Sequence, residues 1–289
     1  MNWLLSPLTW LIEWFQTVTG SYAAAIVLFT LAVKLCLTPL DFKQRNSMRR
    51  MNALQPQIEK INERYANDPD KRAQKTMALY KKEKCSPFAS CLPMLIQLPI
   101  LFAMVSVMNR LAYDGIMRMF LDAYESGTVQ LENFLWVHNI FQPDNFSAAV
   151  LPSLEEILPQ LQRYSSKIIT PESLALFEAN YTQVIQPTLD AFAGYANGWG
   201  FLPVLSGALQ FLQTKLMPSA PAADPKTSQN TKMMNYMFPI MSVIFCWSFN
   251  AAFALYWVAS SLLGIAQNLL INYYFKRKDA KEAEGVLIS

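Results

Sequence analysis

The chain has 289 residues, of which 53% are hydrophobic and only 16% charged, with a formal net charge of +3 at neutral pH. A charged fraction that low excludes an ordinary soluble globular domain, and four cysteines at no ligand or disulfide spacing exclude a zinc module and a secreted disulfide framework. Long polar stretches between apolar runs hold the mean hydropathy to +0.16, which predicts an all-α polytopic membrane protein with substantial water-exposed segments.

The opening MNWLLSPLTWLIEWFQTVTG lacks a basic start, a small-residue cleavage site and a cysteine placed for lipid attachment. The mature chain is therefore expected to begin at or near Met1. Trp3, Leu4, Leu8, Leu11, Ile12 and Phe15 recur at helix-face spacing, predicting an external amphipathic interfacial helix over residues 1–20. A first transmembrane span is expected over 21–41, where Tyr22 to Leu40 is almost wholly apolar.

Residues 42–84 are densely basic, from Lys43, Arg45, Arg49 and Arg50 to Lys81, Lys82 and Lys84. Apolar periodicity flanks a break at Asn67-Asp68-Pro69-Asp70: Met48, Met51, Leu54, Ile58 and Ile61 before it, Met77, Leu79 and Tyr80 after. Two antiparallel helices forming a cytoplasmic hairpin fit that pattern. The stripe suits two roles equally, an ordinary basic loop or a surface docking on spans, lipid head groups or partners.

A second span is expected over 85–112 and a third over 198–217, with a cytoplasmic loop at 218–234. The fourth and fifth form a hairpin over 235–275, turning at Phe249-Asn250-Ala251. Between the second and third spans, residues 113–197 are acidic and carry helical patches such as LPSLEEILPQLQRY, so they read as an external helical cap without a catalytic motif. Lys and Arg are retained on the cytoplasmic side of spans. The N-terminus is thus expected outside and the tail 276–289, KRKDAKEAEGVLIS, inside.

Within the first span Lys34 is costly, by several kcal/mol on insertion scales. Three readings compete: snorkelling to the cytoplasmic interface near Leu40, an ion pair across the bundle, or a hydrated functional cavity. The ion pair lacks an Asp or Glu in the other spans. Spacing favours the cavity, because Thr30, Lys34 and Thr38 line one helix face and the other spans add Gln97, Ser206, Gln210, Gln213, Ser242, Ser248, Ser260, Ser261, Gln267 and Asn268. Each of these taken alone suits an interhelical hydrogen bond.

Four stretches make the chain recognisable: FTLAVKLCLTPLDFKQ, SMRRMNALQPQIEKINERY, ALYKKEKCSPFASCLPMLIQLPILFAM and FPIMSVIFCWSFNAAFALYWVASSLLGIAQN. With FLWVHNIFQPD between them, they run in order through most of the sequence, and the chain closely resembles the YidC-type membrane protein insertase family, with relatives in mitochondria and chloroplasts. The resemblance implies five transmembrane helices enclosing a hydrophilic groove, open to cytosol and lipid and closed outside. It places Lys34 where the family has an arginine, and Thr30, Gln213 and Trp257 at groove-facing positions. A compact ammonium keeps the long-range attraction of that arginine but not its bidentate fork.

A short form is expected, without the large outer domain of Gram-negative members or a lipoprotein signal, and with an insertion from about Asn145 to Asn197. His138, beside Trp136, reads as an interfacial anchor rather than a ligand or base. The implied activity is non-enzymatic insertion of nascent membrane proteins with short translocated tails at the bacterial plasma membrane. Expected contacts are membrane lipids, the Sec translocon and the ribosome, the last weakened by the short basic tail. Met48, Arg49, Arg50 and Met51 are expected to receive the nascent chain. No cofactor is expected, and no GxxxxGK[ST] phosphate loop occurs in the chain. The alternative is a small-solute channel or anion transporter, against which stands the lack of a span repeat. HExxH and GxSxG motifs are also missing, which disfavours an intramembrane enzyme.

Overall fold

A computed structural model describes residues 2–83, 92–216 and 225–288, with side chains described for 5–83, 99–216, 233 and 236–281. Cys85 and Cys91 lie outside the described residues, as does the side chain of Gln97. In chain order the helices are α1 (Asn2–Thr19), α2 (Tyr22–Ala53), α3 (Gln55–Arg64), α4 (Pro69–Lys82), α5 (Leu92–Ser126), α6 (Leu154–Leu161), α7 (Pro171–Ala191), α8 (Phe201–Leu216), α9 (Pro225–Ser248) and α10 (Ala251–Ile288). Among the described residues the only extended pairing is an isolated bridge between Phe134 and Val137.

Three segments are long and apolar enough to cross a membrane: Tyr22–Ala53, Pro99–Ser126 and Ala251–Lys281. The apolar part of α9, Tyr236–Ser248, is shorter. At 1.5 Å per residue, the 16 residues of α8 reach about 24 Å, against a hydrocarbon core of about 30 Å. The fold is thus helical and multi-pass.

Two helices overrun the spans expected of them. Helix α2 continues past residue 41 to Ala53, so the first arm of the basic hairpin begins as a continuation of the span. Helix α5 continues past residue 112 to Ser126. Arg110, Asp114, Arg118 and Asp122 break the hydropathy of that region, yet the helical period persists through the buried Leu111, Ala112, Ile116, Met117, Phe120 and Ala123. Gly127 stops the helix, with φ +75° and its N–H 2.8 Å from the Ala123 carbonyl.

The chain divides into two compact bodies. The first comprises Met1–Leu31, Leu101–Ala208 and Met241–Ser260. Here α6 and α7 form a helical cap, each opened by a capping box, Ser153 with Glu156 and Thr170 with Ser173. Phe177 of α7 meets Phe120 of α5 edge-on at 4.8 Å and stacks on Tyr181 at 4.3 Å, and the Tyr181 hydroxyl donates to the Pro152 carbonyl at 3.0 Å. Burial pushes that hydroxyl's pKa above the usual tyrosine range.

The loops at either end of this cap are held by buried polar side chains. Asp144, fully buried, accepts from the N–H groups of Gly200 (3.1 Å) and Leu202 (2.7 Å) and from the Trp136 indole (3.2 Å), so a distant carboxylate caps the positive N-terminal end of α8. Asn139 and Asn197 bond reciprocally: Asn197 Oδ1 accepts from the Asn139 N–H at 2.8 Å, and Asn197 Nδ2 donates to the Asn139 and Pro143 carbonyls. The Gln142 and Ile140 carbonyls accept from the Ala251 and Ala252 N–H groups, satisfying the first turn of α10. Gly198 is required here, since a Cβ on it would fall 2.0 Å from Asp144 Oδ1. His138 packs edge-on against Phe192 at 5.1 Å.

The second body comprises Ala32–Ile100, Leu209–Ile240 and Ser261–Ser289. Its hairpin has a small core of Met51, Leu54, Ile58 and Tyr80, with Leu79 packed against it. Asp68 caps α4 by accepting from the Lys71 N–H at 3.0 Å, and Pro69 occupies the first turn, where no N–H is needed.

Candidate functional site

Helix periodicity puts Lys34, Thr38, Asp41 and Arg45 of α2, spaced four, three and four residues apart, on one face. That face meets α10 within the second body. Gln267 Nε2 of α10 donates to Thr38 Oγ1 at 3.2 Å and to Asp41 Oδ2 at 2.9 Å. Further along, Arg45 Nη1 donates to Asn272 Oδ1 at 3.2 Å. Arg49 Nη2 donates to both carboxylate oxygens of Asp279, at 2.7 and 2.5 Å, while its guanidinium lies 4.2 Å over the Phe275 ring. Phe275 in turn stacks on Phe42 at 5.0 Å. The result is a polar ladder between two apolar helices, closed at one end by an aromatic and ionic clamp.

The ladder is not saturated. Arg45 is only 5% exposed, and among the described residues its Nη2 has no hydrogen-bond partner; the same holds for Nδ2 of Asn268, also 5% exposed. Lys34 is partly buried, and among the described residues no carboxylate lies within ion-pair distance of it. The acid whose field reaches it is Asp41, two turns along its own helix. That acid belongs to the first span's own helix and not to another span.

The remaining expected site residues fall in different places. Thr30, one turn before Lys34 on α2, belongs to the first body, is buried, and donates its hydroxyl to the Ile26 carbonyl at 2.6 Å. Thr38 likewise donates to the Lys34 carbonyl at 2.9 Å, leaving its oxygen to accept from Gln267. Gln213 of α8 lies against α10 at Gly264, where a Cβ would come within 2.6 Å of Gln213 Nε2. A glycine there lets the amide approach the helix. Trp257 is buried in the first body, its ring 5.5 Å from Phe253.

At the hairpin base, Met51 is only 2% exposed inside the hairpin core, and Arg49 is engaged by Asp279. That leaves the half-buried Met48 and the exposed Arg50 to meet anything outside the protein. The Asp41–Gln267 and Arg45–Asn272 pairs escaped the sequence reading, although the spacing from Lys34 to Arg45 signals them once α2 is extended beyond its apolar window.

Residues 14–279 match the family described as 60Kd inner membrane protein. The membrane protein insertase YidC of Fusobacterium nucleatum is 30% identical over 282 residues, covering 96% of this chain and 98% of that protein. The insertases of Leptospira interrogans (29% identical, 91% of this chain) and Shewanella sp. strain ANA-3 (29% identical, 96% of this chain) are longer, and the chain spans 33% and 38% of their lengths. In fold it is similar to an active YidC insertase crystal structure with the first transmembrane domain resolved, at a TM-score of 0.50 and 23% identity, over 92% of this chain and 45% of that one. Matched over residues 14–279 and aligned almost end to end with an insertase from Fusobacterium, this helical membrane chain belongs to the YidC family of membrane protein insertases.

Proposed function

We propose that the chain inserts membrane proteins by offering their translocated tails a hydrated, positively charged surface within the bilayer, without nucleotide hydrolysis. The observation that carries this reading is Lys34, a partly buried ammonium on an apolar helix with no acid at ion-pair distance among the described residues. An unpaired cation in hydrocarbon is tolerated where water reaches it. Thr38, Gln213, Gln267 and Asn268 of the same body supply neighbouring polar groups. The family resemblance adds Thr30 and Trp257 to the residues that would meet the tail.

A polar, acidic tail meets a steep desolvation penalty in hydrocarbon, and a surface hydrated partway across shortens the apolar distance left. Lys34 attracts the acidic residues, the amides and hydroxyls satisfy polar backbone, and burial of the substrate's apolar segment in lipid, at about 25 cal/mol per Å², drives the exchange. In this reading the chain makes five crossings, with α8 and α9 as the short ones, its N-terminus outside and its tail in the cytosol of a bacterial plasma membrane. Met48, Arg49, Arg50 and Met51 mark the hairpin base that nascent chains pass. The ribosome and the Sec translocon are the partners that would deliver them.

The test is insertion of a short, acidic-tailed membrane protein into liposomes carrying the wild type, Lys34→Ala, Lys34→Arg or Lys34→Glu. Loss with Ala and Glu and retention with Arg is the expected result. Equal insertion by all four would reduce Lys34 to a snorkelling residue. A steady anion conductance of the purified protein in planar bilayers would favour the channel reading instead.

A further inference from the structure

In the first body a polar cavity of about 420 Å³ is lined by Ser106, Asn109 and Tyr113 of α5, by Gln160 of α6 and by Arg163 and Tyr164 just after it. Its walls are pinned together. The Tyr164 hydroxyl donates to the Ser106 carbonyl at 3.2 Å, Tyr113 bonds Gln160 through its hydroxyl, and the two tyrosine rings meet edge-on at 5.0 Å. Arg163 is exposed, and Arg110 and the acid Asp114 both lie close enough to act electrostatically on Tyr164.

Among the described residues neither arginine has a carboxylate within ion-pair distance. Asp114, a buried acid one turn beyond Arg110, accepts from Ser166 Oγ at 2.6 Å instead. The Arg163 guanidinium in the cavity wall, the Asn109 amide and the nearby charge of Arg110 suit a phosphate, while the two tyrosine hydroxyls spend their protons within the wall.

The position selects the source of that phosphate. On α5, Phe102, Ser106, Asn109 and Tyr113 are spaced four, three and four residues apart, so they form one stripe. Phe102 is 61% exposed on a segment, Pro99–Ser126, long and apolar enough to cross a membrane, and it lies one turn before Ser106 of the cavity wall. A stripe that passes from an exposed aromatic into a polar, cationic cavity follows the course of a lipid from acyl chain to head group. We propose that this cavity seats the phosphate head group of an anionic membrane lipid, with an acyl chain lying along Phe102. A lipid held there would tie the α6–α7 cap to the membrane surface without using the insertion machinery.

The test is native mass spectrometry of the delipidated full chain titrated with phosphatidylglycerol, with phosphatidylcholine, and with inorganic phosphate. Wild type should retain phosphatidylglycerol in preference to phosphatidylcholine, and Arg110→Gln/Arg163→Gln should weaken that binding about tenfold, as loss of charge-assisted hydrogen bonds does. Phe102→Ser should weaken the lipid without affecting inorganic phosphate. Equal phosphatidylglycerol binding by wild type and the double variant would overturn the proposal. Inorganic phosphate that displaces the lipid at equal concentration would overturn the lipid assignment in favour of a free anion. Should the double variant misfold, the exposed Arg163→Gln alone carries the same comparison.

Discussion

The loop network around Asp144 and the ladder between α2 and α10 are both polar, the first buried and the second partly so, and they are built differently. Asp144 receives three donors, and Asn139 and Asn197 satisfy one another and the loops around them. In the ladder, Arg45 and Asn268 each keep a buried nitrogen without a partner among the described residues, and Lys34 has no acid at ion-pair distance. A saturated network specifies one arrangement, whereas an unsaturated one retains capacity to bind. That difference fits an architectural role for the first region and the proposed tail-binding role for the second.

The largest effect on this contrast is expected at Lys34, where Lys34→Glu should abolish liposome insertion while leaving the unfolding temperature in detergent close to wild type. Asp144→Ala should do the reverse. It strands three donors, two of them buried, at a cost of about 3–5 kcal/mol, and should lower the unfolding temperature strongly. Gly198→Ala should destabilise through the same carboxylate, because its Cβ would collide with Asp144 Oδ1. An unchanged unfolding temperature in Asp144→Ala would remove the distinction between the two regions.

Gln267→Leu sharpens the comparison within the ladder. It frees Asp41 from its donor at 2.9 Å, leaving an unsatisfied carboxylate to compete with incoming acids for Lys34. Insertion of acidic tails should fall without being abolished, and Gln267→Leu/Asp41→Asn should recover part of it. Arg49→Ala removes a half-exposed ion pair and a cation–π contact worth together about 1 kcal/mol, and hydrogen exchange should report faster fraying of the α10 tail.

The smallest effect is a pH dependence at the hairpin. The Lys71 N–H and ammonium hold the Asp68 carboxyl below its usual range. A carboxyl so lowered contributes stability that is present above its unfolded value, about 3.9, and is lost as the pH falls through the folded one. Amide protection in the first turn of α4 should therefore drop in acid, and Asp68→Asn should flatten that dependence.

Much of the fold was legible in residue patterns. The break at Asn67-Asp68-Pro69-Asp70 lies where α3 ends and α4 begins, because a capping aspartate followed by proline acts locally. The helical patches over residues 151–164 and 171–192 contain α6 and α7, because their apolar period is local. Helix ends were less legible. Hydropathy windows stop α2 at Leu40 and α5 at Leu111, where charges begin, but packing continues both helices.

The site divides along the same line. By itself the sequence determined the membrane class, the cation on the first span, the face it shares with Thr38, and the family, since each rests on composition, period or contiguous motifs. Only the tertiary structure decided that Asp41 and Gln267 meet, that Arg45 faces Asn272, and that Met51 is core rather than surface. Those outcomes depend on which residues distant in sequence come within about 3 Å of one another, and hydrogen bonding is too short-ranged for local pattern to encode it.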